Sequence, residues 1–157
     1  MLKYLNTQVT FAEVPDEITL CINITGCKNG CKNCHSSYLA QDIGTELTFN
    51  EVRKLIKKNS GISCIAIMGG DAEPDKINTL ASFIINHYGS IKVAWYSGRQ
   101  ELNNNIDLCN FDYIKLGPYK EEFGPLNSRT TNQRFYKVNG RELVDITSKF
   151  WKHETEN

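Results

Sequence analysis

The sequence lacks an excess of charge of either sign. Its 157 residues include 18 lysines and arginines against 18 aspartates and glutamates. Affinity for a nucleic-acid backbone or for an anionic membrane surface depends on clustered positive charge. This balance therefore argues against nucleic acid and against a membrane as partners of the chain.

Long apolar runs are missing as well. No window approaches the roughly 20 apolar residues that span a bilayer, and the first residues lack the basic flank and apolar core of a secretory signal. We therefore expect a cytoplasmic protein. Repeats and low-complexity stretches are also absent, so we expect one domain over residues 1–157, with a frayed tail at 153–157.

Cysteine, in contrast, is concentrated in one place. Three of the six cysteines fall within the eight residues CKNGCKNC, from Cys27 to Cys34. In a reducing compartment, clustered thiols bind metal or carry out chemistry more often than they form disulfides. Three interpretations compete: a disulfide with one free thiol, a zinc site, and an iron–sulfur cluster.

The zinc interpretation needs a fourth ligand, because structural zinc takes a closed set of four. His35 adjoins the segment, and the other cysteines are Cys21, Cys64 and Cys109. Cys21 and Cys64 fall within predicted strands, where cysteine is ordinarily a small buried apolar residue.

The cluster interpretation needs no fourth protein ligand. A 4Fe–4S cubane generally takes four thiolates, and three closely spaced cysteines on one loop bind three of its corners. We predict Cys27, Cys31 and Cys34 as these ligands. The remaining iron is then open to an exogenous ligand, as in catalytic rather than structural metal sites.

The apolar pattern predicts alternating strands and helices. Strand-like runs lie at Ile18–Ile24, Cys64–Met68, Ile91–Tyr96 and Tyr113–Leu116. One helix is predicted after the capping residue Thr48, and a second begins near Pro74 and stops at Gly89. A third, short helix is predicted through Gln100–Asn104. A hairpin turning at Asn139-Gly140 and a short helix around Thr147–Trp151 end the chain. We therefore expect an α/β fold, either an open partial (βα) barrel or a small parallel sheet, with a C-terminal hairpin and short helix.

In either architecture, the loops at the carboxyl ends of parallel strands gather at one edge, where ligands bind. Four loops follow the predicted strands, namely the cysteine segment, Gly69-Gly70-Asp71, Ser97-Gly98 and Gly117-Pro118. We therefore expect the functional site at this edge.

Two segments at this edge resemble a known superfamily. CKNGCKNC has the C-x3-C-x2-C spacing of the radical S-adenosylmethionine enzymes and follows the first predicted strand. MGGDAEP resembles their Gly-Gly-Glu-Pro segment, with Asp71 in place of the usual glutamate. His35 after Cys34 is similar to the Cys-His pair of the glycyl-radical-activating branch, whereas Asn33 replaces the usual aromatic residue.

Three later stretches narrow the resemblance. WYSG, FDYIKLGPY and TTNQRFY resemble the activating proteins of anaerobic ribonucleoside-triphosphate reductases. The resemblance implies an oxidoreductase with a 4Fe–4S cluster. This cluster receives an electron from an unidentified one-electron donor and then cleaves S-adenosylmethionine. The resulting 5′-deoxyadenosyl radical takes a hydrogen atom from a glycine of the partner reductase. No catalytic group is expected beyond the cluster and S-adenosylmethionine.

The resemblance also implies contacts with S-adenosylmethionine from Asn33, Cys34, His35, Gly69, Gly70, Asp71 and Ser97. Backbone groups of the two glycines meet the methionine ammonium, because the missing side chains permit close approach. Asp71 accepts a hydrogen bond from the ammonium, Ser97 binds the carboxylate, and Asn33 and His35 touch the adenosine half.

Plainer interpretations of these residues stay open. The glycines end a strand, Asp71 caps the helix that begins near Pro74, Ser97 forms a turn, and His35 is a surface residue. The polar loop from Gly117 to Arg134 either binds the partner or covers the domain. Two other functions also stay open: a radical enzyme that acts on a small molecule, and a noncatalytic zinc module.

The cluster assignment predicts the effect of single cysteine substitutions. Cys31→Ala should abolish reductive cleavage of S-adenosylmethionine, because one iron loses its thiolate. Cys109→Ala, the control, should leave cleavage largely intact. The measurement is 5′-deoxyadenosine released under anaerobic conditions, and full activity in Cys31→Ala would remove the assignment.

Overall fold

The computed structural model describes residues 2–26 and 43–151. Within these ranges the chain forms one eight-stranded sheet and two α helices. The strands are β1 (Lys3–Thr10), β2 (Thr19–Ile24), β3 (Thr45–Glu46), β4 (Cys64–Met68), β5 (Lys92–Tyr96), β6 (Tyr113–Leu116), β7 (Arg134–Asn139) and β8 (Glu142–Asp145). The helices are α1 (Phe49–Lys58) and α2 (Pro74–His87), and short 3₁₀ turns lie at Leu108–Asn110 and Thr147–Phe150.

The sheet is mixed, with the strand order β3-β1-β2-β4-β5-β6-β7-β8. Its centre is parallel, because β2 pairs with β4, β4 with β5, and β5 with β6 in the same direction. On one side β1 and β3 add antiparallel pairs, and on the other side β7 and β8 do the same. Four strand pairs are thus antiparallel and three are parallel.

The predicted fold class is therefore wrong. The chain forms neither a partial (βα) barrel nor a small parallel sheet, because antiparallel pairs predominate and the described residues contain only two α helices. The N-terminal strand β1 was not predicted, since its sequence KYLNTQVT is largely polar and none of its side chains is fully buried. A helix predicted at Gln100–Asn104 is also absent, and this part of the β5–β6 connection is irregular.

Local signals explain where both helices begin. The Thr48 hydroxyl oxygen accepts a hydrogen bond from the Glu51 backbone N–H at 3.1 Å, which caps α1. Helix α2 begins at Pro74, whose missing N–H costs nothing in a first turn. Neither described helix has the length and apolarity needed to cross a membrane.

The two faces of the sheet bury different kinds of side chain. The helices cover one face, where large aliphatic residues meet, among them Leu20, Ile22, Ile65, Ile67, Val93, Ile77 and Ile84. The opposite face has small residues at its centre, Cys21, Cys64, Ala66 and Ala94, beside the rings of Tyr96, Tyr113 and Phe135. Val14, from the β1–β2 connection, packs there and is fully buried.

A hydrogen bond ties strand β1 to helix α1. The Tyr4 hydroxyl donates to Glu51 Oε1 at 2.7 Å. Burial, together with this hydrogen bond and the negative charge of Glu51, raises the pKa of Tyr4 to about 12. The neutral phenol is therefore the form that the folded chain stabilises.

Tyr4→Phe should lower the free energy of unfolding by about 1 kcal/mol near pH 7, because one hydrogen bond is lost. The folded-state pKa lies above the unfolded value of 10.0. The contribution of Tyr4 is therefore complete below pH 10 and is lost as the pH rises towards 12. Urea unfolding at pH 7 and pH 11 checks this, and Glu51→Gln, which keeps an acceptor, is the control. The same pH dependence in wild type and Tyr4→Phe would contradict it.

Candidate functional site

Three of the four expected loops come together at the carboxyl edge of the parallel strands. Gly69-Gly70-Asp71 follows β4, Ser97-Gly98 follows β5 and Gly117-Pro118 follows β6. Backbone hydrogen bonds join the loops in sequence: Gly69 N–H donates to the Tyr96 carbonyl at 2.9 Å, and Gly117 N–H donates to the Arg99 carbonyl at 2.7 Å. The edge is thus one connected surface.

The fourth loop carries the three clustered cysteines and lies outside the described residues. This applies to Cys27, Cys31, Cys34, Asn33 and His35, so the predicted roles of these residues stay predictions. The described residues on either side do meet, since the Thr25 hydroxyl donates to the Ile43 carbonyl at 2.6 Å. Cys27 follows Gly26 directly in the sequence, just beyond the carboxyl end of β2.

Gly69 and Gly70 form a tight turn that requires glycine. Their φ angles are +104° and +90°, which side-chain-bearing residues rarely adopt. A Cβ on Gly70 would lie 2.4 Å from Ile77 Cδ1, inside the core under α2. The turn therefore packs directly against the helix that follows it.

Asp71 is buried and holds two loops together. Its side chain is 5% exposed. Its carboxylate accepts hydrogen bonds from the Ser97 hydroxyl at 2.5 Å and from the Gly98 backbone N–H at 2.9 Å. The N-cap position of α2 is Glu73, whose side chain makes no capping hydrogen bond, so Asp71 is not its N-cap. The carboxylate fixes the position of the β5 loop relative to the β4 loop.

Ser97 is bound within the same network. It is 1% exposed, its hydroxyl donates to Asp71, and its oxygen accepts from the Arg99 backbone N–H at 3.1 Å. The structure thus brings two predicted site residues, Asp71 and Ser97, into direct contact. Direct binding of a ligand carboxylate by Ser97 stays a prediction.

Lys115 also belongs to this network, although the sequence did not show whether its side chain lies on this face of the sheet or on the opposite one. The residue is 8% exposed, and its ammonium donates to the carbonyls of Ser97 at 3.1 Å and Gly117 at 2.9 Å. The ammonium also lies 5.8 Å from the centre of the Tyr96 ring. The position of a lysine inside the apolar run YIKL indicates a buried ammonium, and a buried ammonium needs specific hydrogen-bond acceptors.

The polar loop after β6 is anchored to the same edge. Asn132 Nδ2 donates to the Pro118 carbonyl at 3.0 Å, and a Cβ on Gly117 would lie 3.1 Å from the Gln133 Cα. Arg134 instead pairs with Asp145, at 3.5 Å. Asn132 therefore has an anchoring role, and a role of this loop in reading a partner stays a prediction.

Cys21 and Cys64 do not suit a metal site. Burial raises the pKa of Cys21 and of Cys64 to about 12, and metal binds the thiolate rather than the thiol. Both pack in the core, as predicted, while Cys109 is exposed. Residues 2–26 and 43–151 contain no group of three or more cysteine, histidine or acidic side chains that could hold a metal ion.

The acceptors at this edge suit an ammonium group. The two glycine carbonyls and the Asp71 carboxylate are oxygen acceptors on consecutive residues, and Lys115 donates to other carbonyls. An amino acid's ammonium donates three hydrogen bonds and prefers such oxygens, a charged carboxylate above all. The Gly70 carbonyl also accepts from the Glu73 backbone N–H at 3.0 Å, so a bound ammonium would share each of these oxygens with a donor of the protein.

The Gly70 turn predicts a destabilising substitution with a matched control. Gly70→Ala should lower the free energy of unfolding by roughly 2–4 kcal/mol, since it adds overlap with Ile77 to backbone strain. Gly61→Ala, at a φ of +93° with no atom within 4 Å of its Cβ, should cost only the strain of about 1–2 kcal/mol. Adding Ile77→Val to Gly70→Ala should recover part of the loss. Urea unfolding measures all three, and equal losses at the two glycines would contradict the packing argument.

Comparison with known protein families, curated proteins and solved structures identified no relative of this chain. No family model, no curated protein and no solved structure matches this chain. Its function is therefore inferred from its own residues and from the geometry of the carboxyl edge.

Proposed function

We propose that this chain is a radical S-adenosylmethionine enzyme that activates an anaerobic ribonucleoside-triphosphate reductase. The observation that carries the proposal is the set of fixed acceptors at Gly69, Gly70 and Asp71. This set lies beside the end of β2, from which CKNGCKNC follows in the sequence. A Cβ on Gly69 would lie 3.5 Å from the Ile24 carbonyl oxygen, so the turn after β4 borders the end of β2.

A bound 4Fe–4S cluster with one open iron would supply the electron that splits S-adenosylmethionine into methionine and a radical, and this radical would take a hydrogen atom from a glycine Cα. The cluster would be held by Cys27, Cys31 and Cys34. The protein supplies orientation and protection from side reactions. The proposal rests on the cysteine motif and on the edge of the sheet, because the partial barrel or small parallel sheet that the apolar pattern predicted is not found.

The residues at the edge divide the work of binding. The ammonium of the cofactor would meet the Gly69 and Gly70 carbonyls and the Asp71 carboxylate. Ser97 and the Gly98 N–H hold that carboxylate in place, and a carboxylate oriented in this way binds without reorganising. The site is therefore preorganised by hydrogen bonds that exist before the cofactor arrives.

The partner and the compartment belong to the same proposal. The resemblance of WYSG, FDYIKLGPY and TTNQRFY to reductase-activating proteins favours a protein substrate over a small molecule. A one-electron donor is also required, and the cytoplasm supplies the reducing conditions that free thiols need. The balanced charge of the chain favours neither nucleic acid nor membrane as a partner.

Electron paramagnetic resonance of the chain mixed with the candidate reductase tests this function. We expect a glycine-centred radical signal that requires both proteins, a reductant and S-adenosylmethionine. Replacing the radical-site glycine of the reductase by alanine is the control and should abolish the signal.

Two outcomes would contradict the proposal. Cleavage of S-adenosylmethionine without a glycine signal would indicate a small-molecule substrate. Colourless, anaerobically purified protein that contains zinc in place of iron and sulfide would indicate a zinc module.

A further inference from the structure

Trp95 makes a hydrogen bond from the core to the glycine turn. It is the bulkiest fully buried side chain of the described residues, 1% exposed, and it packs on the helix-covered face near Phe111. Its indole N–H donates to the Gly69 carbonyl at 2.7 Å. Buried indoles usually find an acceptor, and here the acceptor is the first residue of the glycine turn after β4.

Strand β5 thereby fixes both polar groups of Gly69. The Gly69 N–H donates to the Tyr96 carbonyl at 2.9 Å, while the Gly69 carbonyl accepts from Trp95. Glycine has the widest conformational freedom of all residues, and Gly69 adopts a φ of +104°. Two hydrogen bonds to consecutive residues of β5 remove this freedom, although Gly69 itself has no side chain that could restrict the turn.

The contact also sets the direction of an acceptor. A carbonyl oxygen has two lone pairs, and the indole engages one of them. The orientation of the Gly69–Gly70 peptide then fixes the direction of the other. A phenylalanine at position 95 would fill much of the same space but would leave this carbonyl without its donor.

We propose that Trp95 is a positioning residue for the amino-acid end of S-adenosylmethionine, acting through the Gly69 carbonyl. This inference rests on the proposed function of the site. Trp95 itself does not touch the cofactor. Its indole N–H holds the turn in the orientation that accepts the ammonium, so the binding affinity depends on one N–H group rather than on the volume of the ring.

The test removes that N–H and keeps the shape of the ring. The chain has two tryptophans, Trp95 and Trp151, so Trp151→Phe leaves Trp95 as the sole position for tryptophan analogues. Growth of a tryptophan auxotroph on benzothienylalanine then replaces the indole N–H by sulfur at this position alone. The Trp151→Phe protein with ordinary tryptophan is the matched control, and Trp95→Phe is a second, genetically encoded variant.

Binding is measured before any chemistry. Cluster-loaded, oxidised protein without reductant is titrated anaerobically with S-adenosylmethionine by calorimetry. The analogue should bind about fivefold more weakly than the control, because a misoriented Gly69 carbonyl loses part of its hydrogen bond to the ammonium. With reductant present, the KM should rise by the same factor while kcat is unchanged, because the lost contact acts on binding.

The outcomes separate this inference from the proposed function. Equal affinity in the analogue and its control overturns the role of Trp95 and leaves the function standing, and so does a lower melting temperature with unchanged affinity. No binding by the unsubstituted protein overturns both. Weaker binding in the analogue and in Trp95→Phe, with the Trp151→Phe control equal to wild type, supports the inference.

Discussion

The buried carboxylate of Asp71 is the constraint on which the carboxyl edge depends. A charged group 5% exposed is tolerated only when hydrogen bonds replace its water. Ser97 and Gly98 supply these bonds from the loop after β5. The loops after β4 and β5 therefore cannot move independently, since separating them would leave the carboxylate without these partners. One acidic side chain thus turns two strand ends into a single unit.

A second buried charged group, of opposite sign to Asp71, links the next pair of loops. The Lys115 ammonium joins the carbonyls of Ser97 and Gly117, so the loops after β5 and β6 are joined as those after β4 and β5 are. Strand β5 is central to both links. From its helix-covered face Trp95 fixes the glycine turn, and just beyond its end Ser97 fixes Asp71. The rigidity of the edge therefore comes from hydrogen bonds between loops, while the aliphatic core below holds the strands themselves.

Sequence reasoning predicted the central strands and both helices, because runs such as CIAIM and the capping residue Thr48 have strong local signals. It did not predict the architecture, because periodicity identifies an element but not its partner. Strand β1 is mostly polar, and the predicted hairpin pairs through β7 with β6 and joins the same sheet. In the site, the closeness of Asp71 to Ser97 followed from strand ends alone. The face on which Lys115 lies did not follow, since that depends on what covers each side of the sheet.

In this mixed sheet, the proposed site needs only the parallel strands at the centre of the fold. Only parallel neighbours bring successive carboxyl ends to one edge, and here β2, β4, β5 and β6 are sufficient. Of the flanking strands, β1 and β7 run opposite to these four, and β3 and β8 run in the same direction at the two outer edges of the sheet. Closure into a barrel is therefore not required to assemble the acceptors. A site built in this way depends on the loops between adjacent parallel strands. Its preorganisation is therefore a local property of the β4, β5 and β6 ends, whatever the topology of the remaining strands.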